Sequence, residues 1–178
     1  DAKAKNATGA IAQNVTWLAS KEQLFSRDAT IASQMSVLDK ADATQVGFFH
    51  YGYGFNADFS SVRVDLTMNI ANKAIPEGKK PEARLQLKNL VYNASVARVV
   101  SLPDATKDKE ANAKLWADDN GARARAALDA AFADIPAIGV RVLSLQAADL
   151  PALRDKKNKQ TVIGNDQGRI IEGEGKNV

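Results

Sequence analysis

The sequence predicts an α+β fold: a mainly antiparallel sheet with helices packed on one face, an N-terminal helix and a small C-terminal hairpin. Three observations carry this. Val62, Val64, Leu66, Met68 and Ile70 alternate without a fault with Ser61, Arg63, Asp65, Thr67 and Asn69, and a period of two divides the sets between the faces of a half-buried strand. From Lys107 to Ile135 the rhythm changes: Ala is dense, and Leu128, Phe132 and Ile135 recur at spacings of four and three, the repeat of a helix face. Strand-like segments precede helix-like ones, the order of an α+β chain.

The 178 residues read as a single domain, with 1–28 an N-terminal helix, 30–102 strand-rich, 107–135 helical, and 139–172 a strand, a short helix and a hairpin. In the first part Ile11, Val15 and Leu18 fall near one face, with Trp17 beside them, in an Ala-rich context that suits a helix. Ile31, Ser33, Met35 and Val37 alternate with polar neighbours and predict a strand. The polar segment 39–44 is a turn, and strands follow at about 45–55 and 60–71. Lys73 to Pro81, with two prolines, a glycine and three lysines, is a loop. Arg84 to Lys88 alternates again and runs on through Tyr92, with Val96 to Leu102 as its continuation or a further strand, stopped by Pro103.

Asp118-Asp119-Asn120-Gly121 interrupts the helical region and predicts two helices or one broken helix. Pro136 then marks an end, and Gly139 to Leu145 reads as a strand returning to the sheet. A shorter helix near 147–155 precedes a hairpin made by Thr161–Ile163 and Arg169–Ile171 around Gly164-Asn165-Asp166-Gln167-Gly168.

Composition narrows the chemistry. There is no cysteine, so disulfides, thiolate nucleophiles and cysteine metal sites are excluded. A single histidine, His50, argues against zinc sites, which draw on several imidazoles. No segment reaches the roughly 20 apolar residues a membrane-spanning helix requires. Net charge is +3, from 24 basic and 21 acidic residues, without the basic stripe of a nucleic-acid binder. The densest basic cluster, Arg154 to Lys159, reads as a solvated segment, although it admits a membrane surface as partner. Gly52-Tyr53-Gly54 does not open a helix and lacks a third glycine, so no dinucleotide site is predicted and no cofactor is expected. Asn6, Asn14 and Asn93 begin Asn-x-Ser/Thr triplets, which matter only in a secretory eukaryotic protein. With Asp1 in front, the start reads as a processed mature end or as an arbitrary boundary.

The aromatic block Phe48-Phe49-His50-Tyr51-Gly52-Tyr53-Gly54-Phe55 has two readings. With an odd hairpin loop, Phe49, Tyr51 and Tyr53 fall on the polar side beside Asp65, Arg63 and Ser61, and form an exposed binding row. With an even loop the parity flips, and the same aromatics pack on Val62, Val64 and Leu66. The candidate binding residues are Phe49, Tyr51, Tyr53 and Arg63. No catalytic residue and no metal ligand is assigned.

The order of strands, an Ala-rich helix and a returning strand resembles, in layout only, that of small envelope lipoproteins. No lipid-accepting cysteine is present, and no residue role follows. The leading expectation is a non-catalytic binding or assembly component, bacterial-envelope or otherwise extracytoplasmic, with another protein or a second copy as partner and no nucleic acid. An unpaired sheet edge is the second candidate contact element. The alternatives are a hydrolase using His50 with Asp65 or Asp58 and a serine, and a carrier for an apolar ligand between sheet and helices.

Overall fold

The computed structural model describes residues 2–15, 44–75, 77–80, 83 and 89–144, together with the backbone of 154–155 and 160–161. The architecture is α+β. Helix α1 (Ala2–Asn14) leads to β1 (Gln45–Phe55), β2 (Ser61–Asn72) and β3 (Leu90–Ser101), followed by α2 (Lys109–Leu143) and two short strands, β4 (Arg154–Asp155) and β5 (Gln160–Thr161). The strands form an antiparallel sheet in the order β1-β2-β3, and β4 pairs with β5 separately. No described helix is long and apolar enough to cross a membrane.

The faultless alternation of β2 does what its period requires. Val62, Val64, Leu66, Met68 and Ile70 are all buried, while Arg63 is exposed and Asp65, Thr67 and Asn69 are half-buried. Both helices lie on the apolar face. Ala7, Ile11 and Val15 of the N-terminal segment and Ala131, Ile135 and Val142 of α2 close over Val64, Leu66, Met68, Ala94 and Val96. The layers approach closely at Gly139, where an added Cβ would sit 2.9 Å from Ile11 Cδ1 and 3.4 Å from Leu66 Cδ2. These apolar side chains pack together between sheet and helices. A second cluster, Val62, Leu102, Trp116 and Ala127, seals the end of the sheet near the β1–β2 turn.

Helix α2 starts at an N-cap, Asp108, whose carboxylate accepts from the Glu110 amide at 2.8 Å and the Ala111 amide at 3.3 Å, satisfying amides that have no partner inside the helix. It breaks where the sequence predicts. Asp118 is extended, and Asp119, Asn120 and Gly121 all take left-handed angles, a conformation that Asn, Asp and Gly tolerate best.

Three expectations are corrected. Gly139 to Leu143 is helix, not a returning strand. Ile135, Gly139 and Val142 are buried on one helical face, and this packing carries α2 through Pro136 despite the amide that proline lacks. Second, α1 ends at Asn14, with Val15 outside it, within the span 1–28 expected as one helix; residues 16–28 lie outside the described residues. Third, Arg154 and Asp155 belong to a strand rather than to the short helix expected near 147–155. The strand expected at 31–37, the alternating segment 84–88 and the hairpin around 164–168 lie outside the described residues.

Candidate functional site

Which face the β1 aromatics occupy is decided by the turn that follows them. Asn56 N–H donates to the Ser61 carbonyl at 3.0 Å, leaving residues 57–60 as an even-numbered turn. The register then places Phe49 opposite Met68, Tyr51 opposite Leu66, Tyr53 opposite Val64 and Phe55 opposite Val62. The aromatic row therefore lies on the helix side, the even-loop alternative of the sequence reading.

The turn itself is tightly held. The Asn56 side chain donates to Ser60 Oγ at 2.9 Å and accepts from the Ser61 amide at 3.0 Å. Asp58 accepts from the Ser60 amide at 3.0 Å, and the Ser60 amide and hydroxyl hold its carboxyl below the usual carboxylate value. Phe59 takes a left-handed φ of 56°. From α2, the fully buried Asn112 donates to the carbonyls of Asp58 (2.9 Å) and Thr106 (3.0 Å) and accepts from the Thr106 amide at 2.8 Å. Trp116 Nε1 donates to the Phe59 carbonyl at 2.7 Å.

Exposure along the row is graded. Phe49 and Tyr51 are half-buried under the helices. Tyr51 meets Thr8 of α1, hydroxyl to hydroxyl at 3.0 Å. Thr8 Oγ1 also donates to the Ala4 carbonyl at 3.0 Å. Burial pushes the Tyr51 phenol above its ordinary value, with the Thr8 bond opposing. Tyr53 is 70% exposed and Phe55 41%. Phe132 of α2 touches both tyrosines, with ring centroids 6.1 Å from Tyr51 and 6.2 Å from Tyr53, the latter edge-on. Phe55 contacts Phe59 at 5.7 Å and Trp116 at 5.5 Å. The result is an aromatic ridge along the outer margin of the domain, anchored at its base and bare at Tyr53 and Phe55.

The backbone of β1 contributes as well. Asn56 N–H bonds the Ser61 carbonyl and Lys73 N–H bonds the Thr44 carbonyl at 2.8 Å. Even-numbered residues of β1 thus turn their amides and carbonyls toward β2. The odd-numbered ones, including Phe49, Tyr51, Tyr53 and Phe55, turn theirs outward. Among the described residues β1 is an edge strand.

The structure brings Phe49, Tyr51 and Tyr53 together and separates them from Arg63. Arg63 lies opposite Gly54 on the other face of the sheet, paired with Asp65. The expectation that all four share one face is corrected by the even turn. His50 is also on that other face, opposite Thr67, with Ser95 next in the row. Thr67 and Ser95 hydrogen-bond each other at 3.2 Å. Asp65 is engaged by Arg63, and Asp58 sits in the turn beyond the strand end. Among the described residues, no group of three His, Cys, Asp or Glu side chains could hold a metal ion.

Sequence reasoning put Phe55 in the aromatic block but left it out of the binding set, and it missed Phe59 and Phe132 as parts of the ridge and Asn112 as the clamp beneath it. Phe132 is legible only as a core position of its helix, and nothing local marks Asn112 as buried. Compared with protein-family models, curated proteins and solved structures, the chain matches none.

Proposed function

We propose that this chain is a non-catalytic binding or assembly component whose contact element is the outer margin of β1. One observation carries the reading: Tyr53 and Phe55 stand exposed on a strand that is an edge among the described residues, in line with half-buried aromatics. Interaction hot spots favour large aromatic side chains seated on packed neighbours. Outward amides and carbonyls beside them add a backbone template for another extended segment. The partner is a protein. A place outside the cytoplasm is part of the proposal. Protease accessibility in intact spheroplasts tests it.

A photo-crosslinking amino acid at Tyr53, with one at exposed Lys114 as control, tests the contact element in cells. Protein adducts at position 53 and not at 114 are expected. Equal labelling at both positions, or none at either, would contradict the proposal.

A further inference from the structure

Among the described residues, the two edges of the sheet are built differently. β3 carries the devices that blunt an edge. Its register with β2 shifts between Ile70 and Ala71, leaving Val91 as an extra residue. It also turns Arg98 to the helix side, opposite Val64, where the guanidinium pairs with Asp134 at 2.7 Å. β1 has none of these. Its sequence, Gln-Val-Gly-Phe-Phe-His-Tyr-Gly-Tyr-Gly-Phe, contains no Asp, Glu, Lys, Arg or Pro, and its register with β2 runs unbroken over all eleven residues. In a chain of net charge +3, this is a strand along which two copies can approach without like charges meeting.

We propose that β1 is a self-pairing strand: two copies join antiparallel, β1 against β1, about a two-fold axis through Gly52, merging their three-stranded sheets into one with all helices on the same face. This rests on reading β1 as the contact element and names the partner as a second copy. The register follows from the side chains. Residues directly opposite in an antiparallel pair share a face, and a two-fold axis through Gly52 sets Tyr51 against Tyr53 of the second copy and Phe49 against its Phe55. An axis moved one residue either way leaves one of these aromatics facing Gly47 or Ala57, so Gly52 alone matches all four. The outward amides and carbonyls belong to these same odd-numbered residues. On the opposite face His50 falls over Gly54 of the second copy, an aromatic covering an edge glycine.

Helix α1 completes the fit. It covers Tyr51 through Thr8 and leaves Tyr53 bare. In the symmetric pair Tyr51 of the second copy lies beside Tyr53, and that copy's α1 comes to the uncovered end.

The chain has no cysteine, so single cysteines report the axis. At Gly52 an added Cβ meets only Asp65 Cβ at 3.9 Å, and at Gly54 it meets nothing within 4 Å; both variants should fold. Two copies of position 52 face each other as a non-hydrogen-bonded pair with Cα atoms about 4.5 Å apart, within disulfide reach. Two copies of position 54 lie about 13 Å apart along the strands, beyond it. Under mild oxidation Gly52→Cys is expected to become a covalent dimer while Gly54→Cys does not. Light scattering of the wild-type chain should give twice its 19.1 kDa. A wild-type mass of 19.1 kDa at every concentration, or equal cross-linking of the two variants, would overturn the self-pairing. The photo-crosslinker at Tyr53 separates the two readings. Adducts to a different protein from a monomeric chain sink the self-pairing and leave the contact element standing, whereas no adducts sink both.

Discussion

The indole N–H of Trp116 donates to the Phe59 carbonyl at 2.7 Å, so α2 holds the turn whose even length decides the face of the β1 aromatics. Trp116→Phe keeps most of the apolar contact and removes the donor from a carbonyl beneath a nearly buried ring. Stability should fall by about 1–2 kcal/mol, measured by urea unfolding. An unchanged midpoint would mean the carbonyl finds water and the clamp contributes little.

Asn112 is the stronger half of the same clamp. Its amide serves two carbonyls and one amide from two separate loops while fully buried. Asn112→Leu conserves size and strands all three groups, at a cost of about 3 kcal/mol. Chemical-shift changes in such a variant should reach Asp58 and Thr106 first.

At Gly139 two effects oppose each other. Alanine favours a helix over glycine by about 1 kcal/mol, but the new methyl would stand 2.9 Å from Ile11 Cδ1. Ile11 is fully buried, so its Cδ1 would have to shift among packed neighbours, and overpacking costs about 1–3 kcal/mol. Gly139→Ala is therefore expected to destabilise. Ile11→Val removes the clashing atom, so the double variant should be more stable than the sum of the single effects predicts. Simple additivity would show that the layers can slide apart.

Two groups give opposite pH limbs. Burial raises the Tyr51 phenol above 10.0, so its protonated form favours the folded chain; this contribution is whole below pH 10.0 and is lost as pH rises through the higher folded value. The Asp58 carboxyl is lowered from 3.8 by its Ser60 bonds; its contribution is whole above pH 3.8 and is lost as pH falls through the lower folded value. In melting temperature against pH, Tyr51→Phe should flatten the alkaline limb alone and Asp58→Ala the acid limb alone. Curves parallel to wild type across both limbs would contradict these assignments.

Much of the frame was legible from local pattern. The period of two gave β1 and β2 to within a residue because one face of that hairpin is buried and the other is wet. The run Asp118 to Gly121 announced its own break, since those residue types tolerate left-handed angles. Residues 139–143 were misread because Val140 and Val142 alternate over too short a stretch to separate strand from helix. The contact with Ile11 and Leu66 that settles the matter is long-range. The site was half legible for the same reason. Phe49, Tyr51 and Tyr53 share a face by parity alone, but their side relative to Arg63 depends on the turn held by Asn112 and Trp116, more than fifty residues downstream.

The central claim is that β1 offers an open outer margin to a partner, and amide hydrogen exchange read residue by residue tests it most directly. In dilute protein, the His50, Gly52 and Gly54 amides should be protected by β2, while those of Phe49, Tyr51, Tyr53 and Phe55 exchange rapidly. On association the second set should become protected and the first should stay so. Protection of the odd-numbered amides at the lowest concentration, or no change in them on association, would contradict the account.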